Sequence, residues 1–110
     1  DNVIPNSYFE SRIETTDEWI RTRTGIEERR FAPDGMATSD MSVLAIQDCL
    51  KNRGIDKDEI DFIVIATVTP DHVFPATACI VQDKLQMKNP YIWGYDISAA
   101  CSGFIFALET

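Results

Sequence analysis

One cysteine near the C-terminal end of the chain lies where a strand is predicted to turn into a helix. Residues 91–97 before Cys101 read as a buried strand, and residues 104–108 after it have the apolar spacing of a packed helix. The free amide groups and the positive dipole at a helix N-terminus favour a thiolate over a thiol. Such a position can lower the pKa of a cysteine below its reference of about 8.5. Cys101 is therefore the candidate catalytic nucleophile.

The residues around Cys101 are small, which leaves room for a substrate chain to reach the sulfur; they are Ser98, Ala99, Ala100, Ser102 and Gly103. The same surroundings also suit a structural role, because a cysteine among alanines is often a small buried apolar residue. The local sequence leaves both interpretations open, so the elements that position Cys101 have to be considered.

The composition is that of an ordinary globular domain and argues against several partners. With 110 residues we expect at most one compact unit, and the formal net charge of −8 disfavours nucleic acid and anionic membranes. No apolar run is long enough to span a membrane, and residues 1–5 lack the features of a signal peptide. The missing initiator Met and the absence of a helix stop at residues 108–110 predict a piece of a longer protein.

The cysteine and histidine content predicts no metal site. Cys49, Cys79 and Cys101 are odd in number, far apart in sequence and form no CxxC pair, and His72 has no neighbouring ligand. Unpaired cysteines fit a reducing compartment, so we expect a cytoplasmic protein.

The second part of the chain predicts alternating helices and strands. Residues 38–53 form a helix that ends at Gly54; its apolar residues cover more than one stripe, which predicts a largely buried helix with Cys49 in a structural role. Residues 60–68 read as a strand covered on both faces, and residues 76–85 as a second helix. With the strand and helix around Cys101, this order predicts an α/β fold with a parallel sheet.

The first part of the chain predicts a short helix and an extended segment. Thr15 and Glu18 match a capping box, and Gly25 suits the end of the helix that follows. Residues 26–31 read as an exposed extended segment, and residues 33–35 as a turn.

Three blocks of the sequence resemble β-ketoacyl-acyl-carrier-protein synthase III, and they occur in that family's order. Together they span nearly the whole chain, which makes the resemblance specific. They are Thr16–Ile20 with Thr22–Ile26 and Glu28–Arg30; Ala66–Thr67 with Thr69–Asp71 and Phe74–Ala78; and Asp96–Phe104.

The resemblance implies a thiolase-like α/β fold. In that fold two related halves form a five-layered αβαβα subunit that dimerises. Residues 1–110 would be a partial N-terminal thiolase-like domain that covers most of the first half, without its first strand and without the C-terminal half.

The resemblance also implies an acyltransferase that initiates fatty-acid synthesis. In the family, the cysteine matching Cys101 takes an acyl group from acyl-CoA and condenses it with malonyl-acyl-carrier protein, releasing CO₂. Residues matching Trp19 and Arg23 flank the CoA adenine, with Thr24 nearby, and the residue matching Phe74 reaches across the dimer interface to the partner's acyl pocket. Acyl-CoA, an acyl-carrier protein and a second copy are the implied partners, with no separate cofactor.

Elementary chemistry agrees with these roles, although structural alternatives exist. Indole and guanidinium faces can hold a purine between them, yet Trp19 also suits a structural anchor and Phe74 suits core packing. The family's catalytic His and Asn come from its C-terminal half and lie beyond Thr110. His72 receives no catalytic role. We therefore expect residues 1–110 alone not to complete the condensation.

Two other interpretations remain open at this point. A related thiolase-fold enzyme of secondary metabolism, or one of 3-hydroxy-3-methylglutaryl-CoA synthase type, would keep the fold and Cys101 but change the substrate. A non-catalytic, shortened paralogue would act as an assembly module that pairs with a full-length partner.

Overall fold

The computed structural model describes residues 2–110, which fall into two compact units and not the single unit expected from the chain length. The first unit ends at Gly35 and the second runs from Met36 to Thr110. Asp1 lies outside the described residues. It is the first residue of the segment in which we expect no signal peptide. The assignment of residues 1–110 to one partial domain stays a prediction.

The first unit is a short antiparallel strand pair with two helices between the strands. Its elements are β1 (Val3–Pro5), α1 (Ser7–Glu10), α2 (Asp17–Thr24) and β2 (Glu28–Arg30), and Val3 pairs with Arg30. Gly25 ends α2 in the left-handed conformation, as predicted. Thr15 as the cap is wrong by one residue: Thr16 has the extended backbone of an N-cap, and its hydroxyl accepts a hydrogen bond from the Trp19 amide at 3.1 Å.

A buried asparagine holds the first unit together. The Asn6 amide nitrogen donates to the Asp17 carboxylate at 2.8 Å and to the Ile26 carbonyl at 2.7 Å. Its carbonyl oxygen accepts from the Arg29 guanidinium at 2.6 Å. The Asn6 side chain thus connects the end of β1 to the start of α2 and to β2. These contacts fix the position of α2 within the first unit.

The second unit confirms the predicted order of helix, strand, helix, strand and helix. β3 and β4 run parallel, with Phe62 opposite Trp93 and Ala66 opposite Ile97. Short 3₁₀ turns precede β3 and α5. The elements are α3 (Thr38–Arg53), a 3₁₀ turn (Lys57–Glu59), β3 (Phe62–Ala66), α4 (Thr77–Lys84), β4 (Trp93–Ile97), a 3₁₀ turn (Ala100–Ser102) and α5 (Gly103–Glu109).

The core of the second unit lies between α4 and one face of the strand pair. Ile63 meets Ala78, Val81 and Leu85 there, and all four side chains are buried. Gly94 on β4 allows this close approach, because a Cβ atom at that position would lie 3.1 Å from the Ala78 Cβ on α4 and 2.6 Å from the Ile63 carbonyl oxygen on β3. The absence of a side chain on β4 thus lets the strand and α4 pack closely.

The burial predicted for α3 and β3 is wrong. Ser39 is the only residue of α3 that is buried, Leu44 is 56% exposed, and Cys49 is exposed. On β3, Ile63 is buried but Phe62 is 44% exposed. The apolar patterns predicted cover on several sides, whereas the described residues leave much of the apolar surface of α3 and part of that of β3 exposed. Within residues 2–110, no helix has the length and apolar character needed to cross a membrane.

Candidate active site

Cys101 lies between β4 and α5, as the sequence predicts, but in a separate turn. β4 ends at Ile97, and the 3₁₀ turn that contains Cys101 precedes Gly103, the first residue of α5. The Ser102 amide closes this turn by donating to the Ala99 carbonyl at 3.0 Å. The Cys101 side chain is exposed. The interpretation of Cys101 as a buried apolar residue is therefore wrong.

The backbone immediately before Cys101 is strained. Ala100 has a φ of 44°, a left-handed conformation that costs a residue with a Cβ atom about 1–2 kcal/mol. Such strain is concentrated at functional sites, where the surrounding structure maintains it. On the other side, Gly103 brings α5 close to the end of β3, since a Cβ there would lie 3.2 Å from that of Ala66.

Cys101 opens onto an open cavity of about 620 Å³ with apolar and polar walls. This volume falls within the range of about 300–1,000 Å³ that is usual for small-molecule sites. The apolar part of the walls suits an acyl chain, and the polar part is formed by hydroxyl groups. The lining includes Phe62, Val64, Phe104 and Leu108 with the hydroxyl-bearing Thr38, Ser42 and Thr67.

The loop from Thr67 to Ala76, which connects β3 to α4, carries Phe74. This side chain is 87% exposed, and the neighbouring Val73 is fully exposed. The peptide bond between Phe74 and Pro75 is cis. Core packing is therefore excluded for Phe74, whose ring is presented outwards by the loop.

In the first unit, the predicted nucleotide-binding side chains lie together on α2. The Arg23 guanidinium stacks on the Trp19 ring at 4.8 Å from its centroid, and Trp19 is 53% exposed. About half of the Trp19 surface is covered, so the side chain also fits the alternative of a partly buried structural anchor. A purine between the two groups needs about 7 Å, twice a van der Waals contact, so the side chains must move apart to admit one.

The Thr24 hydroxyl already has a structural role. It donates to the Ile20 carbonyl at 2.7 Å and accepts from the Ile26 amide at 3.1 Å. These two bonds complete the C-terminal turn of α2. Thr24 therefore shapes the end of the helix that carries Trp19 and Arg23.

Asp96, which sequence reasoning left without a role, joins β4 to the start of α4. Its carboxylate accepts the amide hydrogens of Thr77 at 2.6 Å and Ala78 at 2.9 Å. An acidic residue at a helix N-terminus satisfies free amides and complements the helix dipole. The partners are 19 and 18 residues apart in sequence, so no local pattern could reveal the pairing.

Asp71 and Lys84 form a second connection without a local sequence signal. Asp71 accepts hydrogen bonds from the amide and hydroxyl of Ser39, and Lys84 bridges Ser39 and Asp40. The hydrogen bond from the Ser39 hydroxyl is the largest cause that lowers the pKa of Asp71, and that from Lys84 lowers the pKa of Asp40. Over residues 2–110, no three His, Cys, Asp or Glu side chains come together to hold a metal ion.

Comparison with known proteins identifies the relatives of the chain. No protein-family model matches it. Over all 110 residues it is 54% identical to beta-ketoacyl-acyl-carrier-protein synthase III 1 of Halalkalibacterium halodurans. By sequence, this chain is homologous to β-ketoacyl-acyl-carrier-protein synthase III. It spans about a third of the curated synthase III relatives that it matches, 35% of the protein from H. halodurans.

Solved structures show that the fold is thiolase-like. The synthase III of Aquifex aeolicus superposes with a TM-score of 0.82 at 44% identity, covering 99% of this chain and 34% of that one. The priming β-ketosynthase of the R1128 polyketide pathway superposes with a TM-score of 0.82 at 36% identity, covering 97% of this chain and 31% of that one. The chain thus has the fold of the N-terminal third of these thiolase-like condensing enzymes.

Proposed function

We propose that this chain supplies the acyl-accepting cysteine of a β-ketoacyl-acyl-carrier-protein synthase III, an acyltransferase that initiates fatty-acid synthesis. One observation carries the proposal: Cys101 is exposed on a strained turn and opens onto a partly apolar cavity. The 54% identity to the synthase III of H. halodurans supports it.

The proposed reaction uses Cys101 twice. Its thiolate attacks the thioester carbonyl of acyl-CoA, the CoA thiolate leaves, and an acyl-cysteine forms with the chain in the partly apolar cavity. Malonyl-acyl-carrier protein then loses CO₂, and the resulting carbanion attacks the acyl-cysteine carbonyl. The Cys101 thiolate leaves and the β-ketoacyl product stays on the carrier. A covalent intermediate divides one difficult step into two easier ones.

Residues away from Cys101 are assigned to binding. Trp19 and Arg23 would move apart and hold the CoA adenine between their faces, an arrangement favoured by stacking and by cation–π attraction. Thr24 would act by shaping that end of α2. Phe74, exposed on its loop, would contact the acyl pocket of a second copy in a homodimer. We propose that the enzyme works in the cytoplasm, with acyl-CoA and acyl-carrier protein as substrates and no further cofactor.

A chimera tests the proposal directly. In it, this 110-residue chain replaces the matching third of the H. halodurans synthase III, and the protein is incubated with acetyl-CoA. We expect one acetyl adduct at Cys101 by peptide mass spectrometry, absent from Cys101→Ala and retained in the matched control Cys49→Ala. A folded chimera that forms no adduct at Cys101 would contradict the proposal and favour an assembly module.

A priming enzyme of polyketide synthesis is a second candidate. The likeness to the R1128 priming β-ketosynthase supports it, with 36% identity over 97% of this chain. Both candidates use the same cysteine chemistry and differ in the carrier protein that they accept. Product formation by the chimera with a polyketide carrier protein, and none with a fatty-acid carrier protein, would favour the second candidate.

A further inference from the structure

Four polar side chains from three parts of the second unit form a hydrogen-bonded group that we call the Asp71 cluster: Asp71, Ser39, Asp40 and Lys84. Ser39 is fully buried at its centre. Its amide donates to Asp71 at 2.9 Å, and its hydroxyl donates to the other Asp71 oxygen while accepting from the Lys84 ammonium at 2.6 Å. Lys84 also pairs with Asp40. The cluster thus joins the β3–α4 loop to both α3 and the end of α4.

A short chain of hydrogen bonds connects this loop to the cavity of Cys101. The Thr38 hydroxyl donates to the Thr69 carbonyl at 2.6 Å, and the Thr69 amide donates to the Thr67 hydroxyl at 3.0 Å. Thr38 and Thr67 both line the cavity onto which Cys101 opens. The wall formed by these two threonines therefore depends on where the loop is held.

The Asp71 cluster restrains the β3–α4 loop through hydrogen bonds with charged groups. Hydrogen bonds with ionised partners are shorter and stronger than neutral ones, and here a carboxylate and an ammonium meet on one buried hydroxyl. Ser39 uses its amide and its hydroxyl on the same Asp71 carboxylate, which restricts both the position and the orientation of the loop. Only Pro70 separates Asp71 from Thr69, so a shift of Asp71 would be passed on to Thr69 and to the cavity wall.

We propose that Asp71 and Lys84 are positioning residues of the Cys101 site. By holding the loop, they fix the Thr38–Thr67 wall and so limit the size of the group that reaches the sulfur. The inference rests on the proposed function in one respect, namely that the groups selected in this way are acyl chains. The geometry of the wall itself does not depend on that function.

Alkylation of the 110-residue chain measures how far the Thr38–Thr67 wall limits access to the Cys101 sulfur. Two probes with the same reactive group but different size, N-methylmaleimide and N-cyclohexylmaleimide, are compared by their rates at Cys101. We expect Asp71→Asn and Lys84→Met each to shift the ratio of these rates towards the larger probe by about threefold, as weakening of a charged hydrogen bond predicts. The ratios at Cys49 and Cys79 should not change.

The matched control is Asp58→Asn. Asp58 also accepts hydrogen bonds from a lysine side chain and a backbone amide, but it lies outside the cluster. We expect its removal to leave the Cys101 ratio unchanged. An unchanged ratio in the two cluster variants, or equal shifts at all three cysteines or in Asp58→Asn, would overturn the proposal, because general loosening affects every site.

An acyl competition separates this proposal from the proposed function. In the chimera with the H. halodurans enzyme, acetyl-CoA and hexanoyl-CoA compete for Cys101, and Asp71→Asn should shift the adduct ratio towards hexanoyl. If the parent chimera forms no adduct at all, the acyl-transfer function is wrong, while the maleimide ratios still decide whether the cluster positions the wall.

Discussion

Cys49, Cys79 and Cys101 are all exposed, so exposure alone does not distinguish the proposed nucleophile. The distinguishing feature is the backbone. Cys49 and Cys79 lie within α3 and α4, whereas Cys101 follows Ala100, which has a φ of 44°. A residue with a side chain is held in this conformation only by its surroundings, so the turn that presents Cys101 is maintained against a local preference.

Replacing Ala100 by glycine tests this strain. Ala100→Gly removes a penalty of about 1–2 kcal/mol and adds an entropic cost of about 0.5–1 kcal/mol. We expect a free energy of unfolding between unchanged and about 1.5 kcal/mol higher, measured by urea denaturation.

The matched control is the reverse change at another left-handed residue. Gly54 has a φ of 65° with open space where a Cβ would lie, so Gly54→Ala should lower the free energy of unfolding by about 1 kcal/mol. If Ala100→Gly destabilised the chain as much as Gly54→Ala, the strain at Ala100 would be disproved.

At this scale the sequence indicated Cys101 but not its supporting residues. The small neighbours and the change of periodicity around Cys101 are local signals. The close approach of Gly103 to Ala66 on β3 and the hydrogen bonds of Asp96 to α4 involve residues that are distant in sequence. Side chains that act through long-range hydrogen bonds carry no such local pattern.

Elements in the second unit are joined by carboxylates at their ends as well as by apolar packing. Asp96 on β4 holds the first turn of α4, and Asp71 holds the first turn of α3. Both carboxylates satisfy helix amides that no residue of the helix itself can reach. The helices are thereby fixed at the end of the sheet where Cys101 lies.

Removal of the Asp96 carboxylate should weaken this arrangement. We expect Asp96→Ala to lower the free energy of unfolding by about 1–2 kcal/mol, the usual cost of losing a helix cap. The matched control is Asp61→Ala, an exposed carboxylate next to β3, which should change stability by no more than about 0.5 kcal/mol. Equal effects in urea denaturation would contradict the capping role of Asp96.

Stability should also fall in acid because of these carboxylates. Hydrogen bonds lower the pKa values of Asp71, Asp40 and Asp58 below 3.8 in the folded chain. The unfolded chain therefore binds protons more readily, so this stabilisation is complete well above pH 3.8 and is lost as the pH falls through the lowered pKa values. Urea midpoints measured from neutral pH down to about pH 3 should decline, and less steeply for Asp71→Asn. An equal decline in that variant would contradict the contribution of Asp71.

The bounds of α3 could be predicted, but not the extent of its burial. Its start, its basic last turn and Gly54 are local features, and the structure confirms Thr38–Arg53. Burial depends on what packs against the helix. The N-cap of α2 is Thr16 and not the predicted Thr15. The two residues have the same side chain, so only the backbone conformation distinguishes which one caps the helix.

On the scale of the whole molecule, α5 has more apolar surface than the described residues cover. Its large apolar side chains are half or more exposed, although one side of the helix lies against β3. A helix that is apolar all round is typical of one covered on several sides. These exposed side chains are Phe104, Ile105, Phe106 and Leu108.

Under the proposed function, the described residues supply a thiol for acyl transfer but no imidazole at the cavity for condensation. Among the described residues, the polar side chains that line the cavity are the Cys101 thiol and the hydroxyls of Thr38, Ser42 and Thr67. Decarboxylation of malonyl leaves negative charge on the substrate, and preorganised donors that stabilise such charge contribute about 3–4 kcal/mol each. The single histidine, His72, is not part of this lining.

We therefore expect the isolated 110-residue chain to form no β-ketoacyl product from acetyl-CoA and malonyl-acyl-carrier protein, because the described residues that line its cavity provide no imidazole and no side-chain amide for the developing charge. The chimera with the remaining two thirds of the H. halodurans synthase III should form product, and its Cys101→Ala variant should not. The measurement is mass spectrometry of the carrier protein after incubation. Product that depends on malonyl-acyl-carrier protein and is made by the isolated chain would show that hydroxyl groups at the cavity suffice for decarboxylation.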